Sequence, residues 1–323
     1  MRAIVCRDYG PPEDLVFEEL PDPVPGPGQV VIEVRSAAVN YPDFLMIAGR
    51  YQIKIPPPFS PGSELAGDVI AVGDGVDFVP GERVSATSFI GAFAERIAVD
   101  ARAVTRIPDD VDYADAAAFG VTNRTAYYTL RTVAPVKPGD WVVVLGAGGG
   151  VGLAAVDIGV LFGARVIAAA SGADKLEICR QRGAQECIDY DREDLRARLK
   201  EITGETGAQV VIDPVGGRYS EQALRGLGRG GRFVTLGYAS GSIPAIPLNL
   251  VLLKGITVQG MEIRTFMIDH PDEMARDDAE LRNLLADGRL RPYIGARFPL
   301  SEAAAAIRYV ADRRAVGKVV IDV

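Results

Sequence analysis

The residues with the clearest chemical meaning are the glycines of Leu145-Gly146-Ala147-Gly148-Gly149-Gly150-Val151-Gly152. They follow the apolar run Trp141-Val142-Val143-Val144-Leu145 and open a stretch of helical spacing from Val151 to Phe162. A glycine-rich turn between strand and helix lets backbone N–H groups close on a pyrophosphate at the positive end of the helix, because no Cβ intervenes. The order strand, glycines, helix therefore favours a bound dinucleotide over a ligand-free turn. The best register is Ala147-x-Gly149-x-x-Gly152, which departs at its first position from a strict G-x-G-x-x-G.

The end of the next apolar run discriminates between cofactors. An NAD site places an Asp or Glu about 20 residues past the glycines to accept hydrogen bonds from the ribose. Here Ala170-Ser171-Gly172-Ala173-Asp174-Lys175 puts Ser171 at that place. No carboxylate stands there to repel a 2′-phosphate. Lys175 can supply a cation, and Ser171 and Tyr190 hydroxyls, so the three read as a phosphate clamp and the expected cofactor is NADP(H). The competing reading of Lys175 is a solvated helix residue whose field Asp174 weakens.

Counting removes other chemistries. The single histidine, His270, lies in the polar segment Ile268-Asp269-His270-Pro271, and Cys6, Cys179 and Cys187 are scattered. Zinc sites need clustered Cys, His and carboxylate ligands, so neither a catalytic nor a structural zinc is expected. Ser-His and Cys-His nucleophile pairs would both require His270, around which no nucleophile motif is found. Hydride transfer survives, since a nicotinamide carries the reactive bond and the protein has only to orient it.

The elements that must position these residues form two domains, as 323 residues exceed one ordinary domain. Hydrophobic residues at 48% and charged residues at 24% suffice for a large core and argue against disorder. Against 43 acids stand 35 bases, and the net charge of −8 opposes nucleic-acid binding. Up to about residue 118, short β-branched bursts such as Val30-Val31-Ile32-Glu33-Val34 alternate with Gly and Pro, which predicts an all-β unit. From Tyr113 onward, helical segments alternate with the runs 141–145, 165–170, 209–213 and 231–237, which predicts a parallel sheet covered on both faces. Helices are expected near 272–288 and 301–313, then a final strand at Lys318-Val319-Val320-Ile321 returning to the first domain. Unpaired cysteines and the absence of any run near ~20 apolar residues point to a cytoplasmic location.

These residues, taken together, resemble the medium-chain dehydrogenase/reductases, and within them the zinc-free quinone oxidoreductases of the zeta-crystallin type. The likeness spans the chain. It is carried by Tyr9-Gly10-Pro11-Pro12-Glu13, Pro25-Gly26-Pro27-Gly28-Gln29-Val30, Ala38-Val39-Asn40-Tyr41-Pro42-Asp43 and Pro61-Gly62-Ser63-Glu64-Leu65-Ala66-Gly67. Gly81-Glu82-Arg83-Val84, Gly149-Gly150-Val151-Gly152 and Gly317-Lys318-Val319-Val320 continue it. In zinc-dependent relatives Asn40 would be a cysteine ligand and Ser63-Glu64 would read His-Glu.

The resemblance implies an α/β chain: a GroES-like β-barrel catalytic domain (1–119 and 264–323), a Rossmann cofactor domain with a doubly wound parallel sheet (120–263), and an active site in the cleft between them. It implies that Asn40 and Thr125 lie near the nicotinamide, that Gly149, Gly150, Val151 and Gly152 face the pyrophosphate, and that Ser171, Lys175 and Tyr190 take the 2′-phosphate. Leu236, Gly237 and Tyr238 would flank the nicotinamide ribose, Arg313 would supply a basic group, and Tyr51 with Asn40 and Thr125 would line the substrate pocket. Leu45, Ala147-Gly148 and Asn123-Arg124 depart from the family pattern. A homodimer is implied through the cofactor-domain sheets, with Ile256-Thr257-Val258-Gln259-Gly260 as the pairing strand. The expected activity is metal-independent, NADPH-dependent hydride transfer to a quinone or other α,β-unsaturated carbonyl. The alternatives are an enoyl or acryloyl thioester reductase of the same family, and a cofactor-loaded binding protein, for RNA or structural, without turnover.

Overall fold

The computed structural model describes residues 1–323, which divide into two compact units, 1–121 with 283–323, and 122–282. In chain order the first strands are β1 (Arg2–Val5), β2 (Val16–Glu19), β3 (Gln29–Val39), β4 (Glu64–Val72), β5 (Arg83–Thr87), β6 (Arg96–Asp100) and β7 (Val104–Arg106). The helices α1 (Tyr41–Ile47) and α2 (Tyr113–Tyr128) follow β3 and β7. Next come β8 (Trp141–Leu145), α3 (Gly150–Leu161), β9 (Arg165–Ala170), α4 (Ala173–Gln181), β10 (Glu186–Asp189) and α5 (Leu195–Thr203). Then follow β11 (Ala208–Asp213), α6 (Arg218–Gly226), β12 (Leu227–Thr235), α7 (Leu248–Lys254) and β13 (Thr257–Gly260). The chain closes with α8 (Ile263–Asp269), α9 (Pro271–Ala286), β14 (Ile294–Pro299), α10 (Ala303–Ala311) and β15 (Lys318–Asp322).

The first unit is the β-rich one. Its main sheet runs β14-β15-β3-β4-β5-β7, with β6 also on β3, and β1 and β2 form a separate antiparallel pair. Register shifts between Val31 and Ile32 and between Val34 and Ser36 bend the long β3 where it pairs with β4. The sheet closes around Ile4, Ile32, Leu65, Val69, Phe93 and Ile321, all buried. Helix α10 adds Ala306 and Ile307 to that core. Strand β15 lies antiparallel to β3 with Val319 opposite Val39, so the last strand of the chain is central to the first unit.

The second unit holds six parallel strands in the order β10-β9-β8-β11-β12-β13. Numbered along the chain that order is 3-2-1-4-5-6, a doubly wound sheet whose winding reverses between β8 and β11. Val142, Val143, Val144 and Leu145 of β8 are fully buried, as a central strand with helices on both faces requires.

The units divide differently from the 119/120 and 263/264 boundaries expected from the sequence, because 264–282 pack with the second unit. Phe266 of α8 lies 4.9 Å from the Tyr128 ring, Asp277 of α9 pairs with Arg131 at 3.3 Å, and Asp278 pairs with Arg124 at 3.1 Å. The unusual Arg124 thus holds α9 to the end of α2. A polar helix shows its charge in sequence but not the partner its charges meet. No helix is long and apolar enough to cross a membrane.

Candidate functional site

The glycine turn sits at the carboxyl end of β8, beside the reversal point where open parallel sheets take up ligands. Gly149 caps α3, which begins at Gly150 and presents its N-terminal N–H groups there. A Cβ on Gly152 would stand 2.1 Å from the Gly146 carbonyl oxygen, so only glycine allows the helix to start this close to the strand. The structural pair is therefore Gly146, at φ 60°, with Gly152, and the register anchored on Ala147 missed the first of them. Ala147 is buried, and its N–H donates to the Ala169 carbonyl at 3.1 Å, tying the turn to β9.

Lys175, in the first turns of α4, reaches back to that turn. A Cβ on Gly148 would lie 2.6 Å from its Cβ and 2.9 Å from its Cδ, so the lysine stem runs along the glycine backbone. Gly148 thus leaves room for the Lys175 side chain beside the glycine turn. Ser171 follows β9 directly, half-exposed. Tyr190, just past β10, stacks on Tyr219 with ring centroids 4.1 Å apart. Tyr219 in turn donates to Asp191 at 2.6 Å and accepts from Arg218 at 2.8 Å.

Beyond β11 and β12 the two segments stay paired. The Leu236 N–H donates to the Asp213 carbonyl at 2.8 Å, Ala239 to Pro214 at 3.1 Å and Ser240 to Val215 at 2.8 Å. This holds Leu236, Gly237 and Tyr238 at the same carboxyl edge as the glycine turn, with Tyr238 exposed. Asp213, which sequence reading overlooked, builds the neighbouring loop: its carboxylate accepts from the Val215 and Gly216 N–H groups, each at 2.8 Å, and from Ser220 Oγ at 2.5 Å. Burial raises its pKa against those hydrogen bonds. The signal was present as an acid ending an apolar strand before Pro-Val-Gly-Gly.

In the first unit, Asn40 belongs to a buried polar cluster at one end of three adjacent strands. It follows β3 and caps α1, and Glu64 and Lys318 begin β4 and β15. Asn40 Nδ2 donates to Glu64 Oε2 at 2.8 Å, while Lys318 Nζ donates to Asn40 Oδ1 at 2.7 Å and to Glu64 Oε2 at 2.9 Å. Glu64 Oε1 accepts from the Val121 N–H of α2. Asp43 accepts the Asn40 N–H at 2.7 Å, and burial pushes its carboxyl up to about 7 despite that bond and the Lys318 charge. Lys318 and Asp43 were unmarked as site residues in the sequence; only the cross-strand register brings Lys318 to Asn40.

Thr125 lies one turn past Val121 on α2, buried, and its carbonyl accepts from Thr129 Oγ1 at 2.6 Å. Tyr51 is half-buried against Phe89, with centroids 6.3 Å apart. Arg313 is exposed just past α10 and is the one non-glycine residue with a left-handed backbone, at φ 59°. Its N–H reaches Val310 and that of Arg314 reaches Tyr309, the two bonds of a Schellman cap. His270 stacks on Phe266 at 4.4 Å beside Glu273, and no disulfide forms among Cys6, Cys179 and Cys187.

The position that would hold a metal in zinc-dependent relatives does not suit one here. Asn40 Oδ1 and Glu64 Oε2 accept from the Lys318 ammonium and Glu64 Oε1 accepts from the Val121 N–H, so the acceptor oxygens are taken and the ammonium charge opposes a second cation.

Residues 26–109 match the alcohol dehydrogenase GroES-like domain and 150–277 the zinc-binding dehydrogenase domain. The chain is 36% identical over 323 residues to quinone oxidoreductase-like protein 2 of Mus musculus, covering 99% of this chain and 91% of that protein. It superposes on Escherichia coli quinone oxidoreductase, solved in complex with NADPH, with a TM-score of 0.92 at 30% identity, covering 100% of both chains. A mycocerosic acid synthase-like polyketide synthase of Mycobacterium tuberculosis is 30% identical over 96% of this chain, which spans 15% of that protein. With its GroES-like unit and doubly wound dinucleotide unit, the chain belongs to the medium-chain dehydrogenase/reductase family. Within that family it is a quinone oxidoreductase-like enzyme.

Proposed function

We propose that the protein binds NADPH at the Gly146–Gly152 turn and reduces a quinone or another α,β-unsaturated carbonyl without a metal. The observation that carries this reading is the Lys175 stem laid along Gly148 beside a helix N-terminus, with Ser171 where an NAD site would place an acid. The N–H groups at the start of α3 would hold the pyrophosphate, and Lys175, Ser171 and Tyr190 the 2′-phosphate. Leu236, Gly237, Tyr238 and Thr125 would bound the nicotinamide end, and Arg313 would add positive charge.

The cofactor supplies the hydride. The protein's own task is to hold the acceptor and stabilise charge on its oxygen. With no Lewis acid, a simple ketone would leave its developing alkoxide poorly stabilised, whereas a conjugated acceptor spreads that charge toward an enolate or hydroquinone oxygen. Asn40 donates to that oxygen, with Tyr51 at the same pocket, and the last proton comes from solvent.

A second reading is an enoyl or acryloyl thioester reductase, and a polyketide synthase is among the proteins this chain resembles. A panel of quinones, short enones and enoyl-CoA esters, followed by NADPH consumption and product analysis, separates the two. Quinone or enone turnover is expected, and activity confined to thioesters overturns the quinone reading. Lys175→Ala should weaken NADPH binding about tenfold or more and leave NADH unchanged; equal loss for both removes the phosphate clamp.

The enzyme is further proposed to be a homodimer. Strand β13 is a sheet edge whose four residues are all exposed, and Leu248, Leu252 and Leu253 of the neighbouring α7 are exposed at 76%, 81% and 67%. An open edge beside an apolar patch is best satisfied by a second copy of the same edge.

A further inference from the structure

The Asn40 amide is held in one orientation by charges it cannot exchange. An ammonium has no lone pair to offer, so only Oδ1 can face Lys318; an ionised carboxylate has no proton to give, so only Nδ2 can face Glu64. Both contacts are short, at 2.7 and 2.8 Å. That arrangement consumes one Nδ2 proton. The other points toward Ser63 Oγ at 3.5 Å, the outer limit of a hydrogen bond. Lys318 is 3% exposed and Glu64 1%, so water does not substitute for either partner.

We propose that Lys318 is a positioning residue of the acceptor site: its ammonium, shared between Asn40 Oδ1 and Glu64 Oε2, fixes the amide so that one Nδ2 proton remains for the carbonyl oxygen of the bound acceptor. The inference rests on the hydride-transfer reading above. The ammonium also polarises the amide, which strengthens the remaining N–H as a donor. Strand pairing supplies the precision. Val319 lies opposite Val39, and Ala38 lies opposite Glu64, so Lys318, Asn40 and Glu64 occupy neighbouring positions on β15, β3 and β4. Glu64 is held in turn by the Val121 N–H.

The test compares wild-type protein, Lys318→Met and the double variant Lys318→Met with Glu64→Gln. The single variant leaves Glu64 buried without its cation and can fail to fold; the double variant removes both charges and keeps an acceptor for the Val121 N–H. The glutamine amide of the double variant both donates and accepts, so it no longer dictates which way Asn40 faces. The double variant should melt near the wild type and bind NADPH within about twofold by nicotinamide fluorescence, yet lose kcat for quinone on the order of 10- to 100-fold. A double variant with wild-type kcat overturns the proposal, as does parallel loss of melting temperature and NADPH binding.

A readout independent of turnover completes it. Asp43 is faced by the Asn40 N–H, Lys318 and Glu64, and burial pushes its carboxyl up to about 7. Infrared titration of the protonated carboxyl, with Asp43→Asn as the subtraction, should show that midpoint rising in Lys318→Met. An unmoved midpoint means that the Lys318 charge is not felt in the cluster and also overturns the proposal. Wild-type protein that turns over no acceptor removes the hydride-transfer reading itself, an outcome seen before any variant is made.

Discussion

At the scale of single residues, the first unit keeps a carboxyl in surroundings that do not favour its charge. Asp43 is fully buried, and burial lifts it from 3.8 to about 7. Between those values the folded chain holds a proton that the unfolded chain has released, so this group's contribution to stability is complete below about pH 4 and is lost as pH rises toward 7. Asp43→Asn removes the titration while keeping an acceptor for the Asn40 N–H. Urea unfolding at pH 5 and pH 7 should show a smaller loss of stability with rising pH in the variant than in the wild type, the difference amounting to at most about 1.4 kcal/mol per pH unit. Equal slopes would mean that Asp43 titrates near its ordinary value in the folded protein.

At the scale of elements, the glycine turn shows what a sequence reveals and what it conceals. The run of glycines between an apolar strand and a helix announced the tight strand-to-helix turn, because each feature of that arrangement is local. Which glycine is sterically obligatory was not local: Gly152 is fixed by the carbonyl of Gly146, six positions away, once strand and helix are folded against each other. Gly152→Ala would drive a methyl into that oxygen at 2.1 Å, so it should push α3 off β8 and lower NADPH affinity at least tenfold, with a reduced melting temperature. Titration of nicotinamide fluorescence checks this, and unaltered affinity would show that the turn accommodates a side chain. Lys318 carried no such local signal, since a lysine opening a terminal strand looks like any solvated end until the register sets it opposite Asn40. The same limit explains α8 and α9, whose composition suited either unit until Phe266 and Asp278 were seen against α2.

At the scale of the whole molecule, the proposed dimer makes a concentration-dependent prediction. Leu252→Glu with Val258→Lys would place charges on the exposed helix and edge strand of the second unit, both outside the glycine turn. Light scattering should report a dimer for the wild type and a monomer for the variant at micromolar protein, with NADPH binding retained in each chain. A variant of unchanged mass would relocate the interface or remove it. The β-rich unit, the parallel sheet and the glycine turn were all legible in the sequence because they repeat on periods of two and about four residues or follow from glycine chemistry. The unit boundaries and the buried cluster were not, because both depend on contacts between segments far apart in the chain.

The placement of β15 carries a further consequence for biosynthesis. As the ribosome extends the chain, every residue of the second unit exists once Arg282 has emerged, whereas the first unit still lacks β14 and β15. Until β15 docks, Glu64 and Asn40 have no ammonium between them, and β3 shows a bare flank where β15 will pair. The nascent protein therefore has the residues of its nucleotide-binding half complete before its barrel can close, and the open flank of β3 is the surface a chaperone would have to guard in the interval.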